Sequence, residues 1–295
     1  MVESAPLWAV FALPLALALT ASAAATVDAR STGACREVLR LLVEQRRITL
    51  AADVPLVRLG TTLLPVAAIL AAVVLPFGFR SVSDLPDGIV WFNAMEALAW
   101  AAVWLTGWGP NSTLSLVGGY RFLAQGLAYE LPHMLAITTA ALGAESLRVG
   151  AVVDAQAGLW FAVWMPAAFG IYLLSALAMA FWGPFDQPVG ADAAGGAAAE
   201  LSGVDRLLFL GGRWLLLVVA AAFSVPLFLG GGHGPLLPGW AWTVLKTGAV
   251  LGFLLWLRRR MPTVRMERYV ELAWVVLTPL AVAQALVVAV VVLGR

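Results

Sequence analysis

The sequence predicts an all-α, polytopic membrane protein with about eight transmembrane helices. Of its 295 residues, 62% are hydrophobic and only 12% are charged, whereas soluble domains carry about 25% charged residues. The mean hydropathy is +0.91, and apolar runs recur along the whole chain. We therefore expect a single membrane domain over residues 1–295, without a separate soluble domain.

Eight apolar runs are separated by segments rich in Pro, Gly and Asp, which are typical of turns and helix ends. Most of the runs approach the ~20 residues that a bilayer-crossing helix needs, whereas β-barrel strands would show about ten residues of alternating polarity. Because Glu3 precedes the first run and Arg30 is the first basic residue, we expect a retained span and not a signal peptide. The expected spans lie near residues 7–25, 61–79, 88–108, 122–144, 157–182, 207–229, 240–257 and 270–293.

The basic residues predict the orientation, because loops rich in Arg and Lys face the cytoplasm. Six basic residues lie between spans 1 and 2, five between spans 7 and 8, and one each between spans 3 and 4 and spans 5 and 6. The opposite side carries only Arg80, Arg148 and Arg295. We therefore expect these four odd-numbered loops (1–2, 3–4, 5–6 and 7–8) to be cytoplasmic and both termini to lie outside.

Residues 35–47 in the first loop have the pattern of an amphipathic helix. Its apolar face carries Val38, Leu39, Leu42 and Val43. Its charged face carries Arg36, Arg40, Glu44 and Arg47. A helix of this kind lies in the membrane interface. It is either a connector on the membrane surface or the rim of an entrance for a lipid-soluble substrate.

Four ionisable residues lie inside the predicted spans, where a charge at the bilayer centre costs about 2.5–3.5 kcal/mol on insertion scales. They are Glu96, Glu130, Arg213 and Lys246. Their depths predict an inner pair, Glu130 with Arg213, and an outer pair, Glu96 with Lys246. The pairs would form either a proton path or static links that hold the helices in register.

Cysteine and histidine are scarce, which limits the redox chemistry that this chain can carry alone. It has one cysteine, Cys35, and two histidines, His133 and His233. One thiolate cannot hold an iron–sulfur cluster, and neither a haem nor a metal site is expected. A Gly-x-Gly-x-x-Gly dinucleotide fingerprint is also absent. We expect no catalytic residue in this chain and no nucleic-acid partner.

Several motifs appear in a fixed order along the chain. Residues 107–132 read GWGPNSTLSLVGGYRFLAQGLAYELP, residues 184–188 read PFDQP and residues 227–231 read LFLGG. Glu200, Ser202 and Gly203 lie between the last two motifs. The last two spans contribute Lys246, Trp256, Arg258, Pro262, Arg265, Trp274 and Pro279. Over roughly residues 61–293 this ordered set resembles the quinone-site membrane subunit, the H subunit, of respiratory NADH–quinone oxidoreductase (complex I).

The resemblance implies a subunit that forms the membrane floor of a quinone chamber. Ubiquinone or menaquinone would be the substrate, no cofactor would be covalently bound, and partner subunits would use NAD. Those partners are the peripheral arm and the antiporter-like membrane subunits. The quinone-proximal residues would be Pro184, Phe185, Asp186, Glu200 and Arg121. The proton path would comprise Glu96, Glu130, Arg213 and Lys246. Of these, Glu130 matches an acidic residue that members of the family carry in their helices.

The chain also departs from the family pattern around the quinone chamber. Residues 179–182 read MAFW where members carry Glu-Thr-Asn-Arg, and Arg213 replaces a family Glu. After the PFDQP motif, residues 188–192 read PVGAD and not Pro-Glu-x-Glu. Two alternatives therefore stay open. One is the membrane subunit of an energy-converting hydrogenase or formate hydrogenlyase, and the other is a secondary transporter.

The single cysteine provides a test of the predicted orientation. We expect a membrane-impermeant maleimide to label Cys35 in inside-out vesicles and not in sealed right-side-out vesicles, because the first loop is predicted to be cytoplasmic. A Cys35→Ser/Ser83→Cys variant should show the reverse pattern, since residue 83 lies in the loop between spans 2 and 3. Equal labelling of Cys35 in both preparations, or labelling only from outside, would contradict the orientation.

Overall fold

A computed structural model describes residues 3–30, 33–190 and 195–294. Arg295, which entered the count of basic residues, and residues 191–192 of the PVGAD segment lie outside the described residues. Helices dominate the described chain, which confirms the predicted all-α class. They are α1 (Ala9–Ala29), α2 (Gly33–Val43), α3 (Val54–Ala72), α4 (Gly88–Trp108), α5 (Thr113–Gly143), α6 (Val149–Ala155), α7 (Phe161–Trp164), α8 (Pro166–Met179), α9 (Gly203–Phe228), α10 (Gly239–Arg260), α11 (Met266–Leu272) and α12 (Thr278–Leu293).

A π-helical turn, Ala273–Leu277, joins α11 to α12, so the two form one continuous rod. A small sheet, which the sequence did not predict, ties the N-terminus to the connection between α3 and α4. Its strands are β1 (Glu3–Ser4), β2 (Pro76–Phe77) and β3 (Arg80–Ser81). The central β3 pairs in parallel with β1 and antiparallel with β2.

Six described helices are long and apolar enough to cross a membrane: α1, α3, α4, α9, α10 and the rod formed by α11 and α12. The predicted count of eight also requires α5 and α8. The 31-residue α5 contains Arg121 and Glu130 within its apolar sequence, and the apolar α8 has 14 residues. The chain is therefore a multi-pass membrane protein.

Three predicted spans have wrong boundaries. The fourth span was expected near residues 122–144, but α5 begins at Thr113. The other two differ for identifiable reasons. The second span was expected near residues 61–79, but α3 begins at Val54. Asp53 accepts a hydrogen bond from the backbone N–H of Leu56 at 3.3 Å, and Pro55 occupies the first turn, where proline is favoured. The expected span at residues 157–182 is divided at Met165 into α7 and α8. Pro166 causes this break, because proline restricts the residue before it and has no N–H to donate.

The amphipathic helix predicted at residues 35–47 is present as α2, which ends earlier, at Val43. Arg40 forms ion pairs with Glu37 at 2.6 Å and with Glu44 at 2.8 Å. The hydrogen bond from Arg40 lowers the pKa of Glu37. On the apolar face, Leu39 is 65% exposed and Val43 is 84% exposed. This face is therefore free to contact a membrane interface.

Helix α9 lies at the centre of the bundle. In its most apolar stretch 67% of residues are buried, compared with 17% in both α1 and the rod of α11 and α12. Next to α9, α3 and α4 pack closely through small residues, including Ala67 and Ala71 of α3 and Ala102 of α4. Small residues allow this close approach between helices in membranes.

A glycine at the crossing of α3 and α4 provides a test of this packing. A Cβ atom at Gly60 would lie 2.6 Å from the backbone nitrogen of Thr106 and 2.7 Å from the carbonyl oxygen of Ala102. We expect Gly60→Ala to lower the free energy of unfolding by about 1–3 kcal/mol, as overpacked cores do. The measurement is reversible unfolding of the purified chain in detergent.

The matched control is Gly248→Ala in α10, where an added Cβ would meet open space. It should not destabilise the chain, because alanine favours a helix more than glycine does. The close crossing of α3 and α4 would be contradicted if the two variants unfolded alike.

Candidate functional site

Two of the predicted proton-path residues come together between α4 and α5. Asn93 and Glu96 lie about one turn apart on α4, and Glu130 and His133 lie about one turn apart on α5, so each pair shares one helix face. The Asn93 side chain donates a hydrogen bond to Glu130 Oε1 at 3.2 Å. Nε2 of His133 lies 3.2 Å from Oε2 of Glu96. We call these four residues the α4–α5 polar cluster.

The cluster is buried and incompletely hydrogen-bonded. Glu96 is 1% exposed and His133 is 0% exposed, whereas Glu130 is half-buried. Five of its polar atoms lack a partner in hydrogen-bonding geometry. They are both carboxyl oxygens of Glu96, both ring nitrogens of His133 and Oε2 of Glu130. Most buried polar atoms in folded proteins do have such a partner. The cluster therefore has unused capacity to bind protons.

Aromatic side chains surround the cluster. The indole N–H of Trp100 donates a hydrogen bond to the Tyr129 hydroxyl at 2.7 Å. The ring of Tyr172 lies 5.1 Å from the ring of His133, and its hydroxyl donates to the carbonyl of Ala220 at 2.8 Å. These surroundings have a low polarity, which strengthens electrostatic interactions between the acids and the imidazole.

The sequence patterns did not predict His133 as a member of this site. A usable signal was present, because His133 follows Glu130 by three residues in one predicted span and so shares its helix face. Among the described residues, no group of three or more His, Cys, Asp or Glu side chains is arranged to hold a metal ion.

The predicted inner pair between Glu130 and Arg213 was wrong. Arg213 is buried on α9, and its Nε and Nη2 both donate to the carbonyl oxygen of Phe181, from Nε at 3.1 Å. Its guanidinium lies 4.0 Å from the ring centroid of Trp182. Residues just after α8 therefore satisfy the charge of Arg213, through a backbone acceptor and an aromatic face.

The predicted outer pair between Glu96 and Lys246 was also wrong. The Lys246 ammonium donates to the carbonyls of Leu229 at 2.6 Å, Gly231 at 2.9 Å and His233 at 2.7 Å. It also lies 4.2 Å from the ring centroid of Trp160. The three acceptors lie just beyond the end of α9, where a helix leaves carbonyls without intrahelical partners. Lys246 thus fixes the connection between α9 and α10.

The predicted quinone-proximal motif, Pro184 to Asp186, forms a tight turn after α8. Phe185 is buried, with its ring centroid 4.3 Å from that of Tyr269. Its carbonyl accepts a hydrogen bond from the Gln125 side chain at 3.1 Å, and the carbonyl of Pro184 accepts one from the Val264 N–H at 2.9 Å. Residues of α5 and of the α10–α11 connection therefore hold the turn in place.

An open cleft of about 420 Å³ lies beside this turn. Asp186 lines the cleft opposite two arginines at the end of α10, Arg258 and Arg259. Both arginines form ion pairs with Asp28 at the end of α1, the one from Arg259 at 3.4 Å. The cleft therefore carries charges of both signs where α1, α10 and the turn after α8 meet.

The other two predicted quinone-proximal residues do not line this cleft. Nη1 of Arg121 donates to the carbonyl of Gly195 at 3.0 Å, so Arg121 binds the segment that follows the turn. Glu200 accepts a hydrogen bond from the Ser112 hydroxyl at 2.6 Å. It also lines a separate small cavity of about 20 Å³ together with Arg47 and Asp205. The structure thus brings Pro184, Phe185 and Asp186 together and places Arg121 and Glu200 as anchors of the longer loop.

The contacts of Lys246 predict a structural effect. We expect Lys246→Met to lower the free energy of unfolding by about 2–3 kcal/mol, because it leaves three carbonyls without their donor. Arg260→Met in the same helix is the matched control, since Arg260 is exposed and should contribute little. The measurement is reversible unfolding in detergent. Equal stability of the two variants would contradict the assignment.

Comparison with known proteins identifies the family. A model of the family described as NADH dehydrogenase matches residues 33–289. The NADH-quinone oxidoreductase H subunit numbered 1 of Geobacter metallireducens is 36% identical over 85% of this chain and 80% of its own length. The H subunit numbered 2 of Cereibacter sphaeroides is 36% identical over 88% of this chain and 82% of its own length. The H subunit of Geobacillus kaustophilus is 35% identical over 86% of this chain and 78% of its own length.

These matches confirm the resemblance that the ordered motifs predicted. The names of the relatives refer to a quinone oxidoreductase and so do not favour the hydrogenase or the transporter alternative. The chain belongs to the NADH dehydrogenase family, together with the H subunits of NADH-quinone oxidoreductase.

Proposed function

We propose that this chain helps to form the quinone chamber of a NADH–quinone oxidoreductase and couples quinone reduction to proton translocation. The α4–α5 polar cluster carries the proposal, because it places two acids close together inside an apolar helix bundle. Ionisable residues at such depth mark ion and proton pathways in membrane proteins. The names of the relatives supply the reaction of the assembly.

In this proposal Glu96 and Glu130 bind and release the protons. The other two residues of the predicted path, Arg213 on α9 and Lys246 on α10, contribute fixed positive charges. Carbonyl oxygens and aromatic rings already satisfy both cations. These contacts commit both cations, so in this proposal they hold the surrounding helices in place and do not exchange protons.

The quinone, ubiquinone or menaquinone, would bind near the turn from Pro184 to Asp186 and its open cleft. Arg121 and Glu200 support this region, since their hydrogen bonds hold the loop that continues from the turn. The exposed apolar face of α2 offers an entrance rim for a lipid-soluble substrate. A quinone headgroup at the cleft would meet Asp186 and the arginines at the end of α10.

Partner subunits complete the proposed enzyme. The peripheral arm would use NAD and bring electrons to the quinone, and antiporter-like membrane subunits would adjoin this chain. The arginine-rich loops would face the cytoplasm, so the turn after α8 would meet the peripheral arm there. The exposed apolar residues of α1 and α12, such as Leu19 and Leu286, would contact lipid.

The proposal is tested by mild-detergent purification of the tagged chain from its own membranes. We expect partner subunits of a quinone oxidoreductase to co-purify. Glu130→Gln should reduce donor:quinone reductase activity and proton translocation by about 100-fold, the typical contribution of a positioned proton-transfer group. Glu145→Gln, a matched change at an exposed position just beyond α5, should retain both.

Two results would contradict the proposal. Purification of the chain without any partner, or with nickel–iron hydrogenase subunits, would remove the quinone reductase assignment. A complex with unchanged activity and proton translocation in Glu130→Gln would remove Glu130 from the proton path.

A further inference from the structure

We propose that Glu96 and His133 form a proton-binding dyad, in which one proton is shared between Oε2 of Glu96 and Nε2 of His133 and a second proton can be bound. The dyad rests on the proposed function, because it assigns a specific proton-binding site to the translocation step. The dyad extends the proposed function, because it makes a histidine one of the proton-binding groups.

The distance allows a shared proton, and a turn of the imidazole would bring the two atoms into hydrogen-bonding geometry, which they lack in the present orientation. The 3.2 Å separation of Oε2 and Nε2 lies at the upper end of the range for nitrogen–oxygen hydrogen bonds. The two side chains come from different helices, so they meet only in the folded bundle. Both side chains are buried, and neither ring nitrogen of His133 has a hydrogen-bond partner. The imidazole is therefore committed to no other group.

Two arrangements of one proton leave the dyad without net charge. In the first, Glu96 is ionised and His133 is an imidazolium. Transfer of the proton from Nε2 to Oε2 gives the second, with a neutral acid and a neutral imidazole. Because neither form places an isolated net charge in the apolar core, burial penalises both less than it would a lone ion.

Glu130 is the neighbouring acid that can exchange the second proton. A proton released by the Glu130 carboxyl leaves its carboxylate and converts the singly protonated dyad into a neutral Glu96 with an imidazolium His133. The products, the Glu130 carboxylate and the His133 imidazolium, attract each other. This attraction offsets part of the free energy that burial of the two charges costs. The hydrogen bond from Asn93 to Glu130 stabilises the carboxylate formed in this step.

The other titratable groups around the dyad are tyrosines. Tyr129 of α5 accepts a hydrogen bond from Trp100, and Tyr172 of α8 donates to a backbone carbonyl. Tyr269 of α11 is buried with its hydroxyl unpartnered, and its ring packs on Phe185. Phenols ionise only near pH 10, so Glu130 is the acid beside the dyad that exchanges the second proton in this proposal.

The test uses the full-length chain labelled with [¹⁵N]histidine in lipid nanodiscs. Because the chain contains only two histidines, His233→Gln assigns both imidazole signals. In the wild type we expect the Nε2 signal of His133 to lie between those of an imidazolium and a neutral imidazole, because the proton is shared with Glu96. Glu96→Gln should convert it to a neutral imidazole, because a buried cation without its carboxylate is disfavoured.

His233 serves as an internal control for the titration. Burial and the nearby Lys246 charge lower the pKa of His233, whereas Asp154 acts in the opposite direction. His233 should therefore lose its proton at a pH below the usual histidine range. Its signal should not change in Glu96→Gln. A His133 signal that is the same in the wild type and in Glu96→Gln would overturn the dyad.

A second measurement separates a proton-binding role from a static contact. In the intact complex, His133→Gln and Glu96→Gln should each lower proton translocation per electron at least about tenfold, and the double variant should be no worse than either single variant. Unchanged translocation would overturn the role of the dyad. If Glu130→Gln abolished translocation while the His133 signal did not respond to Glu96→Gln, only the dyad would fail, whereas indifference to Glu130→Gln would remove the proposed function.

Discussion

The rest of the structure depends on one constraint: polar groups inside an apolar bundle must find their partners within the protein. Cations and acids meet this constraint differently. A backbone carbonyl has two lone pairs and can accept a second hydrogen bond, whereas a helical N–H is used once. Buried cations therefore find acceptors wherever a helix ends, and buried acids depend on side-chain donors. This difference explains why Arg213 and Lys246 are satisfied while Glu96 is not.

The same difference explains which features of the site could be predicted from the sequence. Position along a span gives the depth of an ionisable residue, and depth correctly singled out Glu96 and Glu130 as buried or half-buried acids. Depth does not specify the direction around the helix axis. It also takes no account of carbonyl acceptors, which every residue carries. The sequence therefore predicted two salt bridges where Arg213 and Lys246 instead bind backbone oxygens.

The fold was predictable to the extent that hydrophobicity determines it. Long apolar runs located most of the membrane helices, and the alternation of apolar and charged residues located α2. The residues at the helix ends determined the boundaries. The cap at Asp53 and the break at Pro166 could both have been predicted from the residue types. The strand pairing of residues 3–4 with residues 80–81 was not, because it joins distant short segments that have no periodicity of their own.

A group that moves protons differs from one that fixes structure in how many bonds it must break. Lys246 would lose hydrogen bonds to three carbonyls if it released a proton and turned away. Glu96 has no established hydrogen bond to lose, and its nearest polar neighbour, His133, is itself a proton acceptor. Protonation of Glu96 therefore requires little rearrangement of the bundle, and the packed helices α4 and α5 can keep their positions while charge changes between them.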